Sequence, residues 1–346
     1  MSHTRESRWY GGEPVATPGG TLTRGQVHVE HLVPGQPNGE EPVVLVHGGG
    51  GQGLDWLATP DGRPGWAPLL ADQGYHVYVV DRVAHGRSPY DPALLGDLGA
   101  AMPAEAVAGL FYPPAEGEGS HPTSGLHTRW PGGRTADDPV NQQFLAGLGP
   151  LLADQGLAQR LDQRALAALL DDIGPAVVFA HSAGGPAGFL VADARPELVR
   201  VLVACEPLGP PFLGAPGLPL SWGLTQAPVT YDPPAAGPAE IATVRREVPG
   251  PVPLVLQAEP ARRLANIARV PVVLVTAEAS PFRWFEQHLS AYLTQAGCAV
   301  DTVRLWEHGQ SGNGHGFMAE LNNAEILGIL LDRIAAVRET KTKGRP

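Results

Sequence analysis

At 346 residues, with 43% hydrophobic residues and a formal net charge of −11, the sequence reads as a soluble, acidic globular protein. Its only lysines are Lys341 and Lys343, and its arginines are scattered. This excludes a Ser–Lys amidase mechanism and argues against a nucleic-acid partner. No run approaches the roughly 18 apolar residues of a membrane span, so no membrane partner is expected. The start, Met1-Ser2-His3-Thr4-Arg5-Glu6, is polar and no apolar leader core follows it. Cys205 and Cys298 read as free core thiols rather than a disulfide. Both points lead to the expectation of a cytoplasmic protein.

In chain order, Thr21 to Val33 supplies one or two leading antiparallel strands. Val43-Val44-Leu45-Val46 is a buried strand, followed at once by His47-Gly48-Gly49-Gly50-Gly51. Bare backbone after an early strand can aim an N–H into a site, which makes Gly49 a candidate oxyanion donor. A parallel strand is expected over 76–81. The stretch 89–141 is too long for a simple crossover and holds Phe111, Tyr112 and Trp130.

The segment Val177-Val178-Phe179-Ala180-His181-Ser182-Ala183-Gly184-Gly185 then joins a strand to a helix-like stretch through a small-x-Ser-x-Gly turn. That is the layout of a nucleophile elbow, which lifts the serine hydroxyl above the sheet. Ala180 stands where glycine is commoner. Ser182 is the candidate nucleophile, and the N–H of Ala183 the second candidate oxyanion donor. With a normal elbow, His181 points away from the serine. His85 reads as structural, and His28 and His31 fall on a leading strand far from the site in sequence.

A strand over 199–205 ends in Glu206-Pro207. A carboxylate at the end of a buried strand needs a partner, either a catalytic histidine or one of the arginines. The proline-dense stretch 207–268, with Trp222 and Tyr231, is a second long insertion. The strand 270–276 is succeeded by Ala277-Glu278-Ala279-Ser280-Pro281-Phe282, which has no aspartate; Glu278 is the reserve acid. A last strand over 299–306 leads into the glycine-rich loop His308 to Gly316. His315, just before a helix expected from Phe317, is preferred as general base over His308.

Strands alternating with helices predict an α/β protein with a mainly parallel sheet and helices on both faces. Core segments are expected at 1–88, 142–206 and 269–338, with a polar tail at 339–346. The insertions 89–141 and 207–268 leave the carboxyl edge and are expected to form a cap or lid. Phe111, Tyr112, Trp130, Trp222 and Tyr231 are candidates for an aromatic pocket lining. Trp56 and Trp66 are placed under the oxyanion turn. No metal-ligand spacing and no cofactor are read.

The chain resembles the α/β-hydrolases, and more narrowly the bacterial esterase 713 branch. The resemblance rests on the His47-Gly48 loop with Thr59-Pro60-Asp61-Gly62-Arg63-Pro64-Gly65-Trp66, on Val79-Val80-Asp81 with Gly86-Arg87-Ser88, and on Trp222-Gly223-Leu224-Thr225 with Tyr231-Asp232-Pro233. It extends to Gly312-Asn313-Gly314-His315 with Leu321-Asn322-Asn323, and so runs from about residue 25 to about 335. It implies a triad of Ser182, His315 and Glu206, with the acid after the sixth strand, and it suggests a homodimer. Two positions depart from the family. Gly49 and Gly50 replace paired cysteines, and Ala183 replaces a polar residue. Backbone donors survive both changes, whereas pocket shape and substrate preference can differ.

The residues and the resemblance together imply a serine hydrolase acting on a carboxylic ester or lactone of a small, largely apolar substrate. A cofactor-free perhydrolase or a C–C bond hydrolase shares the same triad. A haloalkane dehalogenase is excluded, because it needs an aspartate where Ser182 stands. A non-catalytic binding protein would have no reason to keep all three residues.

Overall fold

The β-branched runs form a single eight-stranded sheet in a computed structural model that describes residues 3–115, 119 and 121–343. A long antiparallel hairpin, β1 (His3–Thr17) and β2 (Gly20–Pro34), leads the chain. Six parallel strands follow: β3 (Val43–Val46), β4 (Val77–Asp81), β5 (Ala176–His181), β6 (Val199–Cys205), β7 (Val272–Thr276) and β8 (Val300–Arg304). Their spatial order is β1-β2-β4-β3-β5-β6-β7-β8, with β2 antiparallel to β4. Strands β3 to β7 are buried on both faces, as strands covered by helices on each side must be.

Alternation sorts the two faces. Val43, Leu45 and Phe179 pack under α1 (Trp66–Asp72) and the last helix, through Leu70, Ile326 and Leu330. Val44, Val46 and Val178 pack on the other face. Between these layers in sequence come α2 (Pro139–Ala146), α3 (Gln155–Ile173), α4 (Gly185–Ala194), α5 (Glu286–Gln295) and α6 (Asn323–Lys343). Helices α3, α4 and α5 cover the second face through Leu166, Phe189 and Leu289. The buried pair Arg82–Asp162 (2.9 Å) ties the end of β4 to α3.

Three expectations need correction. β1 begins at His3, well before Thr21; most of its residues are exposed, so backbone pairing with β2 rather than an apolar pattern makes it a strand. The helix expected from Phe317 is only a short turn, Phe317–Ala319, and α6 starts at Asn323. Glu320 is extended there because its carboxylate is drawn into the preceding loop. The tail does not separate at residue 339: α6 continues to Lys343, and residues 344–346 lie outside the described residues.

The insertions also behave differently from each other. The 89–141 insertion, of which Gly117 lies outside the described residues, brings Phe111, Pro139 and Val140 to the wall of a cavity beside Ser182. The 207–268 insertion contributes no residue to that wall. It forms two small ladders, Tyr231–Asp232 with Arg263–Leu264 and Thr243–Arg246 with Leu254–Gln257. Gln159 of α3 accepts the N–H groups of Gln226 and Ala227, and Asp193 of α4 accepts from Thr230. Only the first insertion therefore caps the cavity.

Candidate active site

Ser182 lies directly after β5 with φ of +53°, a left-handed backbone that a non-glycine residue adopts only when its surroundings force it. The forcing is visible in the glycines. A Cβ at Gly184 would sit 2.2 Å from the carbonyl oxygen of His47, and one at Gly185 would sit 2.5 Å from Cβ of Pro207. Ala180 is tolerated because Gly188 yields the space: a Cβ there would come within 2.7 Å of the Ala180 methyl.

His315 Nε2 lies 2.9 Å from Ser182 Oγ, and His315 Nδ1 lies 2.7 Å from Glu206 Oε2. Ser182, His315 and Glu206 are all buried. Nδ1 facing a carboxylate carries the hydrogen, which leaves Nε2 free to accept the serine proton. Burial holds His315 down to about 3, so the imidazole is neutral. The Phe282 ring stacks on it with centroids 4.0 Å apart, and Phe111 approaches to 5.2 Å.

Glu206 is itself at positive φ (+42°), and its carboxylate is held by several donors. Besides His315, Ala277 N–H (2.8 Å) and Thr276 Oγ1 (3.2 Å) donate to its Oε1, and Ser280 Oγ (2.6 Å) donates to its Oε2. Burial pushes the group up, to about 8, against the pull of these donors. All of them offer hydrogens, so the carboxylate is the form they fit. The end of β7, where no aspartate was found, thus supplies donors to an acid placed one strand earlier. Glu278 does not reach His315: its Oε2 accepts the N–H of Gly312. His308 is exposed.

The glycine turn closes against the elbow. A Cβ on Gly48 would lie 3.1 Å from the Cβ of Ser182, and one on Gly49 would lie 3.0 Å from the Cβ of Ala183. Bare backbone is what lets the two segments approach this closely. His47, buried and held neutral by burial, fixes the turn: Nδ1 donates to Gly48 O (2.8 Å) and Nε2 accepts from Arg82 N–H (2.9 Å).

A cavity of about 570 Å³ opens beside the triad, walled by Gly48, Gly49, His181, Phe111 and Gly316. Phe111 is the one expected aromatic that lines it. Tyr112 and Trp130 form a second layer with Phe111 and Phe144, and Trp130 Nε1 donates to Asn141 (2.6 Å). Trp222 and Tyr231 belong to the core under the second insertion, where Tyr231 OH donates to Trp222 O (2.9 Å). Trp56 and Trp66 pack together (5.6 Å), and Trp56 also lines the cavity.

Several site residues have no signature in the sequence. His181 walls the cavity, and its Nε2 donates to His315 O (3.0 Å), steadying the loop that carries His315. Buried Glu320 clamps the same loop, accepting Gly314 N–H (2.8 Å), Asn313 Nδ2 (2.6 Å) and His127 Nε2 (2.7 Å). The one available clue is that this glutamate, five residues past His315, is followed after Leu321 by Asn322 and Asn323. Among the described residues, no cluster of three or more His, Cys, Asp or Glu is placed to hold a metal ion. Among them also, no helix is long and apolar enough to cross a membrane.

A strand-turn-helix serine at the carboxyl edge of a mainly parallel sheet, with a histidine and an acid arriving on later loops, defines a class of hydrolases. The chain belongs to the α/β-hydrolase fold family, whose model matches residues 41–242. It is 38% identical over 320 residues to the "Probable secreted lipase phiG" of Fungal sp. (strain ATCC 74256), covering 90% of this chain and 86% of the relative. A shorter stretch of 98 residues, 27% of this chain and 32% of the relative, is 35% identical to an AB hydrolase superfamily protein of Gibberella zeae. A solved structure described as that of a novel bacterial esterase shares the fold, with a TM-score of 0.67 at 22% identity, over 97% of this chain and 96% of that one.

The relative named a secreted lipase overturns the expected cytoplasmic location. That expectation rested on polar first residues, of which His3 to Glu6 belong to β1, and on two free thiols. Both cysteines are buried, and a thiol sealed from solvent is shielded from oxidants in either compartment.

Proposed function

We propose that the chain is a serine hydrolase that cleaves a carboxylic ester, or a lactone, of a small and largely apolar substrate through an acyl-enzyme. The observation that carries the reading is the continuous chain Ser182 Oγ–His315 Nε2 and His315 Nδ1–Glu206, at 2.9 and 2.7 Å, buried beside the cavity. Ser182 Oγ attacks the carbonyl carbon as its proton passes to His315 Nε2. Glu206 holds the ring in the productive tautomer and stabilises the imidazolium. The N–H groups of Gly49 and Ala183 hold the developing oxyanion; one such donor contributes about 2.7–4 kcal/mol in a comparable hydrolase. The imidazolium then protonates the leaving alcohol, and water, activated by the same histidine, releases the acid.

Ester cleavage is supported by the relative named a lipase, and the same relative supports an extracellular place of action. The test is p-nitrophenol release from acyl esters of increasing length, with Ser182→Ala run alongside. We expect activity that falls by about 10³-fold or more in the variant. A variant retaining near wild-type rate would refute Ser182 as the nucleophile.

A further inference from the structure

One side chain in the cavity wall plays no part in this chemistry. Asp55 sits on the short helix Leu54–Leu57, directly after the glycine turn. Its Oδ2 accepts the N–H of Gln52 (3.1 Å), and it presses so close to the turn that a Cβ on Gly51 would lie 2.1 Å from it. The carboxyl is thereby seated in the wall of the cavity beside the triad.

Among the described residues, no lysine or arginine lines the cavity to balance it. Its two histidines, His47 and His181, are both held neutral by burial. The other carboxylate of the wall, Asp61, is already engaged by Arg63 and Thr59. Burial, with a smaller push from Asp81, raises Asp55 to about 7, as expected of a carboxyl without a countercharge. The same wall carries the aromatic rings of Trp56, Phe111 and Phe144. Ring faces attract cations, and the half-buried Asp55 carboxylate, facing no cation in the wall, gains from a cationic partner.

We propose that this cavity selects esters that carry a positively charged ammonium group, held between the Asp55 carboxylate and the aromatic wall. The proposal rests on the hydrolase reading of Ser182. It identifies Asp55 as a specificity residue that leaves bond breaking to the triad.

The test compares two thioesters of nearly equal shape, butyrylthiocholine and its uncharged carbon isostere 3,3-dimethylbutyl thiobutyrate, by thiol release at pH 8. The readout is the ratio of their kcat/KM values within each protein, so a general loss of activity cancels. In the wild type we expect the cation to be preferred by about 10-fold or more, and Asp55→Asn to bring the ratio close to one. A wild-type ratio near one, or an unchanged ratio in Asp55→Asn, would overturn the proposal; the wild-type ratio alone decides if that variant does not fold. Should neither thioester nor p-nitrophenyl butyrate be cleaved, the catalytic reading fails, and selectivity is read by calorimetry instead. Ser182→Ala protein is then titrated with butyrylcholine and with 3,3-dimethylbutyl butyrate. Tighter binding of the cation upholds the role of Asp55, and equal or weaker binding removes it.

Discussion

Ser182 and Glu206 share a property rarely found twice in one site: each is a non-glycine residue at positive φ, and each follows a buried parallel strand. The surrounding contacts must offset that strain, of order 1–3 kcal/mol apiece. For Glu206 the offsetting contacts are the donors at Thr276, Ala277, Ser280 and His315. Glu206→Gln loses the charge that stabilises the imidazolium, and we expect turnover to fall by about 10²–10⁴-fold. Glu278→Gln, which alters only the cap on Gly312, is expected to cost far less. Steady-state kinetics on both variants checks this, and the reverse order would move the acid to the end of β7. Ser182, His315 and Glu206 could be proposed from the sequence because each follows a strand and meets an obvious chemical need. His181, Ser280 and Glu320 could not, since their roles come from loops distant in sequence that meet only in the fold.

The element on which the proposed catalysis depends is the loop from Gly309 to Gly316, which carries the proposed base without regular structure of its own. It is held from three sides, by Glu278 at Gly312, by Glu320 at Asn313 and Gly314, and by His181 at the carbonyl of His315. His127 of the first insertion joins the same clamp through Glu320, so the cap and the base are fastened to one carboxylate. Glu320→Ala strips three buried donors of their acceptor, and an unsatisfied buried group costs about 1–3 kcal/mol. We expect a lower Tm and a reduced kcat with KM little changed, read by thermal melts and ester kinetics together. A lower Tm with unchanged kcat would mean that His315 is positioned without this clamp. At this scale the six parallel strands were readable from their β-branched runs. The cap was half readable: chain length reveals an insertion, but only packing shows that 207–268 lies on α3 and α4 instead of over the cavity.

Across the whole molecule, the sheet buries three imidazoles at one edge, His47, His181 and His315, each held below its ordinary value of 6.5 by burial. The unfolded chain binds protons at these histidines below about pH 6.5 while the folded protein does not, so stability is lost as the pH falls from there. One carboxyl works the other way. Asp55 is raised to about 7, so the folded state holds its proton longer and stability declines as the pH rises from about 4 through that value. Asp55→Asn removes this penalty, and its gain in Tm over the wild type should grow between pH 5 and pH 8. A gain independent of pH would show that Asp55 does not titrate in that window. Net charge, composition and the absence of a long apolar helix bear on none of this, because the effect depends on which few groups the sheet edge buries.

The most direct test of the triad is covalent. Native protein treated with a fluorophosphonate and mapped by peptide mass spectrometry should carry a single adduct, on Ser182, that is absent after heat denaturation and in Ser182→Ala. An adduct on another serine, or none on the native protein, would mean that the geometry joining Ser182, His315 and Glu206 does not make an activated nucleophile.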